Sequence, residues 1–334
     1  MNLLITGGCG FLGTNLVRYL STNRPEYHLT IFDLLTYAGS KSNIKHLLSG
    51  KNVSFVEGDI CDRDQLTAVL EYGIDMVVNL AAETHVDRSI ASPEEFVRTN
   101  VFGAQVLLDC CRKKSVSLLH ISTDEVYGPT PDGDLFSEDT PLRPTSPYAA
   151  SKASADLLII AAHTVYEQPA MIVRPVNNLG PYQYPEKLIP LFIDRLSRGL
   201  PVPVYGDGMQ KRMWLFVEDF CSAIDFAIDG FTPGECFNLA SKFESTNIDL
   251  TRNLTNIIGC KNDLIRFVDD RPAHDRRYAL DDSRFMNRFG WLPRYSFDRA
   301  LEKTVKWYLD NQDWLKSRRT KEYDEYFDRQ YGAL

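Results

Sequence analysis

Met1-Asn2-Leu3-Leu4-Ile5-Thr6-Gly7-Gly8-Cys9-Gly10-Phe11-Leu12-Gly13 opens the chain, and the reading of this stretch decides the fold. Leu3 to Ile5 is short and apolar throughout, as in a strand buried on both faces. Glycines follow at once in G-x-x-G-x-x-G spacing. Gly7 and Gly10 let the backbone turn and approach a pyrophosphate, and Gly13 lets the next helix pack closely on the strand. That helix begins at Phe11 and Leu12, and its first turn offers free N–H groups to phosphate oxygens.

Asp33 lies 20 residues beyond Gly13, at the end of a second apolar run, Thr30 to Phe32. A carboxylate there accepts hydrogen bonds from a ribose 2′-hydroxyl and repels a 2′-phosphate, so the cofactor expected is NAD rather than NADP. No arginine adjoins Asp33, which favours the same choice. Gly58-Asp59-Ile60 ends the run from Val53, and Leu80-Ala81-Ala82 ends the run from Met76. Asp59, Ile60, Leu80, Ala81 and Ala82 therefore fall at the carboxyl edge of a parallel sheet, where adenine and nicotinamide ribose lie.

Leu118 to Ser122 and Ala170 to Val173 continue the series of apolar runs, and segments of helical spacing such as Leu12 to Leu20 and Val97 to Cys111 separate them. Strands alternating with helices predict an α/β fold: a Rossmann-type, doubly wound parallel sheet. Residues 1–175 are read as this NAD-binding domain, carrying the catalytic residues. Prolines punctuate the chain from Pro175 onward. Residues 176–334 are read as a smaller mixed α/β lobe that mainly binds substrate, with some segments returning to the first domain. Lys316 to Arg329, rich in charge and tyrosine, is expected to form a solvated terminal helix or arm.

Composition narrows the class further. A net charge of -8 gives no basic footprint for nucleic acid. No run of about 18 apolar residues is present to span a membrane, and the first residues lack the basic start of a secretory signal. The seven cysteines show no C-x-x-C pair and no metal-ligand spacing, so no metal and a reducing, cytoplasmic setting are expected.

Ser146-Pro147-Tyr148-Ala149-Ala150-Ser151-Lys152 carries the chemistry. Ser146 suits an N-cap and Pro147 the first helical position, which puts Tyr148 and Lys152 on one face, a turn apart. Tyrosine ionises near pH 10, so making it a base requires a lowering of about three units, roughly 4 kcal/mol. The Lys152 ammonium and a positive nicotinamide ring are expected to supply that together. Just upstream stands Ser122-Thr123-Asp124-Glu125-Val126-Tyr127-Gly128, past the fifth strand and at the same edge.

With these motifs the chain resembles the extended short-chain dehydrogenases. The Thr-Asp-Glu triplet resembles specifically the nucleotide-sugar 4,6-dehydratases, above all those acting on dTDP-glucose. The likeness covers nearly the whole chain and includes residues 81–89, Asn177-Asn178 through Pro190, Tyr205-Gly206-Asp207-Gly208 and residues 270–278. It implies a lyase that forms a 4-keto-6-deoxy sugar nucleotide for deoxysugar biosynthesis. It also implies roles: Tyr148 takes the C4 hydroxyl proton while hydride passes to NAD, with Thr123 bonded to that hydroxyl. Glu125 removes the C5 proton, Asp124 protonates the departing C6 hydroxyl, and the hydride returns to C6. Lys152 and Asn177 join the cofactor contacts, and a homodimer joined through helices near 97–112 and 148–166 is implied.

The same likeness assigns substrate contacts to Asn178, Lys187, Leu188, Arg212, Asn247, Arg271 and His274. Arginines suit a diphosphate because they grip its oxygens with paired, charge-assisted bonds. Thr84, His85 and Arg88 are expected to line the hexose pocket. Three positions depart from the family pattern: Val176 before Asn177, Met213 between Arg212 and Trp214, and Phe220 after Asp219. They fall in the lobe that recognises sugar and base, so UDP-glucose or UDP-N-acetylglucosamine stays open as substrate. A UDP-sugar 4-epimerase or decarboxylase shares Tyr148 and Lys152 but needs no acid pair. A non-catalytic NAD-binding regulator is a third class, disfavoured by the intact tyrosine and lysine.

Overall fold

The computed structural model describes residues 1–332. In chain order the strands are β1 (Asn2–Thr6), β2 (His28–Asp33), β3 (Val53–Glu57), β4 (Met76–Asn79), β5 (Ser117–Ile121), β6 (Ala170–Pro175), β7 (Asn177–Leu179), β8 (Val202–Tyr205), β9 (Lys211–Phe216), β10 (Cys236–Leu239), β11 (Glu244–Thr246), β12 (Ile265–Val268) and β13 (Arg277–Tyr278). Seven of them form one sheet in the order β10-β6-β5-β4-β1-β2-β3, every pair parallel. All six apolar runs read from the sequence are strands of it.

The reason is visible in the side-chain alternation. Leu3 and Ile5 enter one core with Leu16 and Leu20 of the helix Phe11–Asn23, while Leu4 enters another with Leu66, Val77 and Leu107. A strand covered on both faces has no polar side, hence the unbroken apolar runs. Strand order reverses between β1 and β4, and the crevice at a reversal is where such sheets bind ligands.

The seventh strand, β10, comes from late in the chain. The helix Val217–Asp229 before it packs on the helix Phe11–Asn23, where Arg24 Nε donates to Asp225 Oδ1 at 2.9 Å and the Tyr27 hydroxyl donates to Asp229 Oδ1 at 2.9 Å. The later chain thus returns to the first sheet. The rest of it builds a smaller sheet, β11-β9-β13 with β7 beside β9, and the pair β12-β8. Among the described residues no helix is long and apolar enough to cross a membrane.

The expected solvated tail is a correction. The helices Gln312–Arg318 and Lys321–Tyr331 lie against the body, and Tyr323, Tyr326 and Phe327 are buried. Those three rings share one face at i, i+3 and i+4 spacing, while Lys321, Asp324, Glu325 and Asp328 face solvent. Counting charges hid the stripe, because tyrosine buries its ring while keeping a polar tip.

Candidate active site

The carboxyl ends of β1, β2, β4 and β5 face the smaller lobe across a cavity of about 450 Å³, within the size range of small-molecule sites. Gly7 sits at φ +68°, and a Cβ there meets Ala81 N at 2.7 Å. A Cβ on Gly13 meets the Gly7 carbonyl oxygen at 2.2 Å, so strand and helix touch only because neither has a side chain. Gly10 caps the helix without a side-chain bond, and a Cβ there has only an ordinary 3.4 Å contact, to Gly7. Protein packing does not require glycine at 10, and its lack of a side chain leaves the helix end open to the cavity.

Asp33 is buried beside this turn. Cys9 N–H donates to its Oδ2 and Leu35 N–H to its Oδ1, both at 2.8 Å. Burial raises its pKa and the two N–H groups oppose that. Leu35 itself holds φ +57°, strained backbone kept at the cavity edge. Phe11, Leu12, Ile60, Leu80, Ala81, Ala82 and Asn177 also line the cavity. Asp59 lines it while holding Arg98 Nη2 at 2.6 Å and the Cys61 N–H at 2.8 Å. Burial works against its charge, but those partners leave its pKa lowered.

The catalytic turn follows β5. Thr123 caps the short 3-10 turn Asp124–Tyr127, accepting the Glu125 N–H at 3.4 Å and donating to Asp124 Oδ1 at 3.1 Å. Both carboxyls are buried in the cavity wall. Burial, then the neighbouring Glu125, push Asp124 up to about 7, against the pull of Arg212 and Thr123. Burial also raises Glu125, opposed by Arg271, Arg212 and Lys187. The turn therefore presents two adjacent carboxyls whose charged forms are both disfavoured, Asp124 being pushed up to about 7.

Across from them the helix Pro147–Tyr166 begins as read: Ser146 Oγ accepts the Ala149 N–H at 3.1 Å and Pro147 stands at the first position. Tyr148 rests edge-on against Phe96 with ring centres 6.3 Å apart. Without a cofactor, burial and then Glu125 push its phenol up, with Thr123 pulling the other way, so the expected lowering would have to come from a bound nicotinamide together with Lys152. Lys152 Nζ turns instead to the Ile121 carbonyl oxygen, donating at 2.7 Å, and burial pushes it down to about 8. Lys152 stands behind the cavity wall rather than in it.

On the opposite side, Lys187 Nζ donates to the Thr84 carbonyl oxygen at 2.8 Å. Arg212 lies over the Tyr278 ring at 4.3 Å and donates to the carbonyls of Lys211 and Asp275 at 2.7 and 3.0 Å. His274 Nδ1 bonds Asp270 Oδ1 at 2.5 Å, yet burial and then Arg271 push its pKa down to about 4. Thr84, His85, Asn178, Lys187, Leu188, Arg212, Asn247, Arg271 and His274 all line the cavity. Arg88 does not. Its guanidinium is held by Glu186 at 2.9 Å and lies between the rings of Tyr37 at 3.9 Å and Tyr326 at 4.7 Å. It braces the wall from behind.

Of the three departing positions, only Val176 borders the cavity. Arg212 and Trp214 face it from β9, so Met213 between them points into the core, as does Phe220. Those two residues carry no information about the sugar or base. Cavity residues to which the sequence assigned no contact include Glu83, Asp87 and Tyr205, which lie within the motifs, and Tyr331, which does not. Asp87 accepts the Tyr205 hydroxyl at 3.0 Å, and Gln330 of the terminal helix donates to the same hydroxyl at 2.7 Å. Burial pushes Glu83 up to about 7, helped by Glu95 and Glu186.

Ser122 Oγ, Asp124 Oδ2, Glu125 Oε2, Asn178 Oδ1, Arg271 Nη1 and Trp214 Nε1 are buried without a hydrogen-bond partner, and all belong to cavity-lining residues. Buried polar atoms are normally satisfied. Six such atoms on residues of one cavity wall suit a site that takes a polar ligand. With the glycine turn, the uncapped helix end and Asp33, the residues fit a dinucleotide beside a second polar molecule.

Residues 4–304 match the family model described as GDP-mannose 4,6 dehydratase. The chain is 46% identical to the low-salt glycan biosynthesis protein Agl12 of Haloferax volcanii, over 94% of this chain and 100% of that one. It is 44% identical to a dTDP-glucose 4,6-dehydratase of Streptomyces niveus, over 94% of each chain. The crystal structure of the dTDP-glucose 4,6-dehydratase DesIV of Streptomyces venezuelae, which has NAD bound, superposes with a TM-score of 0.93 at 42% identity, covering 96% of this chain and 100% of that one.

Proposed function

The chain belongs to the GDP-mannose 4,6-dehydratase family of the extended short-chain dehydrogenases, and from that premise we propose that it is an NAD-dependent hydro-lyase converting dTDP-glucose to its 4-keto-6-deoxy derivative. The observation that carries this reading is the adjacent pair Asp124 and Glu125, set with Tyr148 in the wall of one cavity, where burial disfavours the charge of both carboxyls. Epimerisation or decarboxylation needs Tyr148 but no such pair.

The glycine turn and Asp33 would hold NAD, which when bound would supply a reversible hydride acceptor. Tyr148 takes the proton of the C4 hydroxyl, which Thr123 orients. The C4 ketone acidifies C5, and Glu125 removes that proton as base while Asp124 gives its own to the leaving C6 hydroxyl. Arg271, Arg212 and Lys187 face the two carboxyls and are placed to bind the diphosphate. Residues 1–175, completed by β10, act as the cofactor-binding domain, and most of the remainder closes over the sugar nucleotide. The relatives named for dTDP-glucose favour thymine as the base. The test is parallel incubation with dTDP-glucose, UDP-glucose and UDP-N-acetylglucosamine, read by mass. Loss of one water from dTDP-glucose is expected; an unchanged mass with dTDP-glucose refutes the reading.

The enzyme is further read as a cytoplasmic homodimer. Its seven cysteines are free thiols, as in a reducing compartment. Val97, Phe102, Leu157 and Ile160 expose 55%, 54%, 57% and 43% of their surface on helices 93–114 and 147–166. Apolar groups aligned this way suit a self-complementary interface. Leu157→Glu is expected to halve the mass seen by light scattering; an unchanged dimer excludes this face.

A further inference from the structure

Glu186 is a buried carboxylate that the proposed chemistry does not use, and it joins two loops from distant parts of the chain. Its residue surface is 4% exposed. Oε2 accepts from Arg88 Nε at 2.9 Å, and Oε1 accepts from the Tyr37 hydroxyl at 2.7 Å. Burial works against its charge, but His85, Lys187, Arg88 and the Tyr37 hydroxyl leave its pKa lowered.

Tyr37 belongs to the loop 34–39 that follows β2. Leu34, Thr36, Ala38 and Gly39 of this loop line the cavity. A Cβ on Gly39 would stand 3.1 Å from Asp33 Oδ1, so the loop folds down onto the carboxylate read as the ribose ligand. Tyr37 is outside the cavity wall: its ring meets Tyr184 edge-on with centres 5.3 Å apart, and the Arg88 guanidinium lies 3.9 Å from its centre. The segment 180–187 is the other partner. Lys187, next to Glu186, donates its backbone N–H to the Tyr184 carbonyl at 3.1 Å and its Nζ to the Thr84 carbonyl at 2.8 Å, and it lines the cavity. Each loop holds one residue in the left-handed region, Leu35 at φ +57° and Tyr182 at φ +69°. Such conformations persist only where surrounding contacts enforce them.

We propose that the Tyr37–Glu186 bond couples the two halves of the cavity, so that a dinucleotide on the Asp33 side and a sugar nucleotide on the Lys187 side each tighten the binding of the other. This rests on the reading of those two sides given above. With loop 34–39 closed over Asp33, the hydroxyl satisfies Glu186 and fixes the segment that presents Lys187. A loop lifted from Asp33 takes the hydroxyl with it and deprives a buried carboxylate oxygen of that donor, which burial disfavours. Coupling of this kind is reciprocal. Tyr37 is thus a positioning residue. The link suits a cycle in which a hydride taken from the sugar must be returned before either molecule leaves.

The test follows NADH, by its fluorescence, as it leaves loaded enzyme diluted into excess NAD, with and without saturating dTDP or UDP. Calorimetry shows which nucleotide binds. A nucleotide that binds is expected to slow NADH release at least fivefold, the lower end of ordinary coupling between sites. Tyr37→Phe keeps the ring against Tyr184 and Arg88 and removes only the hydroxyl. It is expected to release NADH at nearly one rate with and without nucleotide, and to bind the nucleotide more weakly by a similar factor. Full slowing retained in Tyr37→Phe overturns the proposal, as does faster release by an equal factor in both conditions, which is what a loss of packing alone produces. A nucleotide that binds the unaltered enzyme and leaves NADH release unchanged refutes the coupling alone. Failure of both nucleotides to bind refutes the reading of the Lys187 side and the coupling with it. No step of the test depends on turnover, so it stands apart from the assay of dehydration by mass.

Discussion

Glu125→Gln is expected to bind NAD and oxidise the sugar at C4 yet to stop exchange of the C5 hydrogen with solvent, lowering turnover by roughly 10²–10⁴-fold. The amide preserves the shape of the side chain and the Glu125 N–H bond to Thr123 that forms the turn. What it removes is the base. Asp124→Asn is expected to differ in kind: C5 exchange continues, because the base is intact, but water is not expelled from C6. Deuterium uptake followed by mass in heavy water separates the two. Equal exchange in Glu125→Gln and the unaltered enzyme refutes the assigned base.

The pH dependence follows from the same pair. Asp124 must carry its proton to serve as acid, and its pKa is raised to about 7 by burial and by Glu125. Elimination is therefore expected to decline as pH rises through about 7, and Asp124→Asn loses that descending limb. The sign for stability is parallel. A carboxyl with a raised folded-state pKa favours folding most below its unfolded pKa, and that contribution is lost as pH rises toward 7. The cost to stability is therefore greatest above about pH 7, where Asp124 is charged and elimination fails, and a fall in melting temperature as pH rises toward 7 that Asp124→Asn loses is the expected sign.

How much of this was legible depended on whether a residue's role is local. Gly7, Gly13, Asp33 and the strand ends were readable because turn, close approach and ribose recognition each act within one βα unit. Tyr148 and Lys152 were readable as a helical pair, but the electrostatics were not: the phenol is raised because the site is buried, and burial is a property of the whole fold. Arg88 reads as a substrate ligand until Glu186, nearly a hundred residues on, is seen to hold it. Met213 and Phe220 looked like specificity positions, and the alternation of β9 sends the first inward. Tyr331 was hidden because nothing local tells a terminal helix that a cavity waits for it.

Arg174→Met is expected to destabilise the fold by about 3–5 kcal/mol, because it leaves a carboxylate buried without its partner. Arg174 and Asp156 are almost fully enclosed, at 3% and 0% side-chain exposure. The guanidinium holds more than one neighbour: its Nη1 donates to the Tyr127 hydroxyl at 2.6 Å, which donates to Asn238 Oδ1 at 2.8 Å. Through these bonds β6 ties the helix that bears Tyr148 and Lys152 to the turn that bears Asp124 and Glu125, and both to β10. A drop in melting temperature on the order of 10 °C corresponds to the loss. Arg174→Met combined with Asp156→Leu removes both charges and is expected to recover most of the stability, since an apolar pair of similar volume often equals a buried ion pair. Turnover is expected to stay low in the double variant, because Tyr127 has lost the donor that fixes the end of the catalytic turn. If the double variant is as unstable as the single one, packing rather than the unpaired charge explains the loss; if it also turns over normally, the turn does not depend on Arg174.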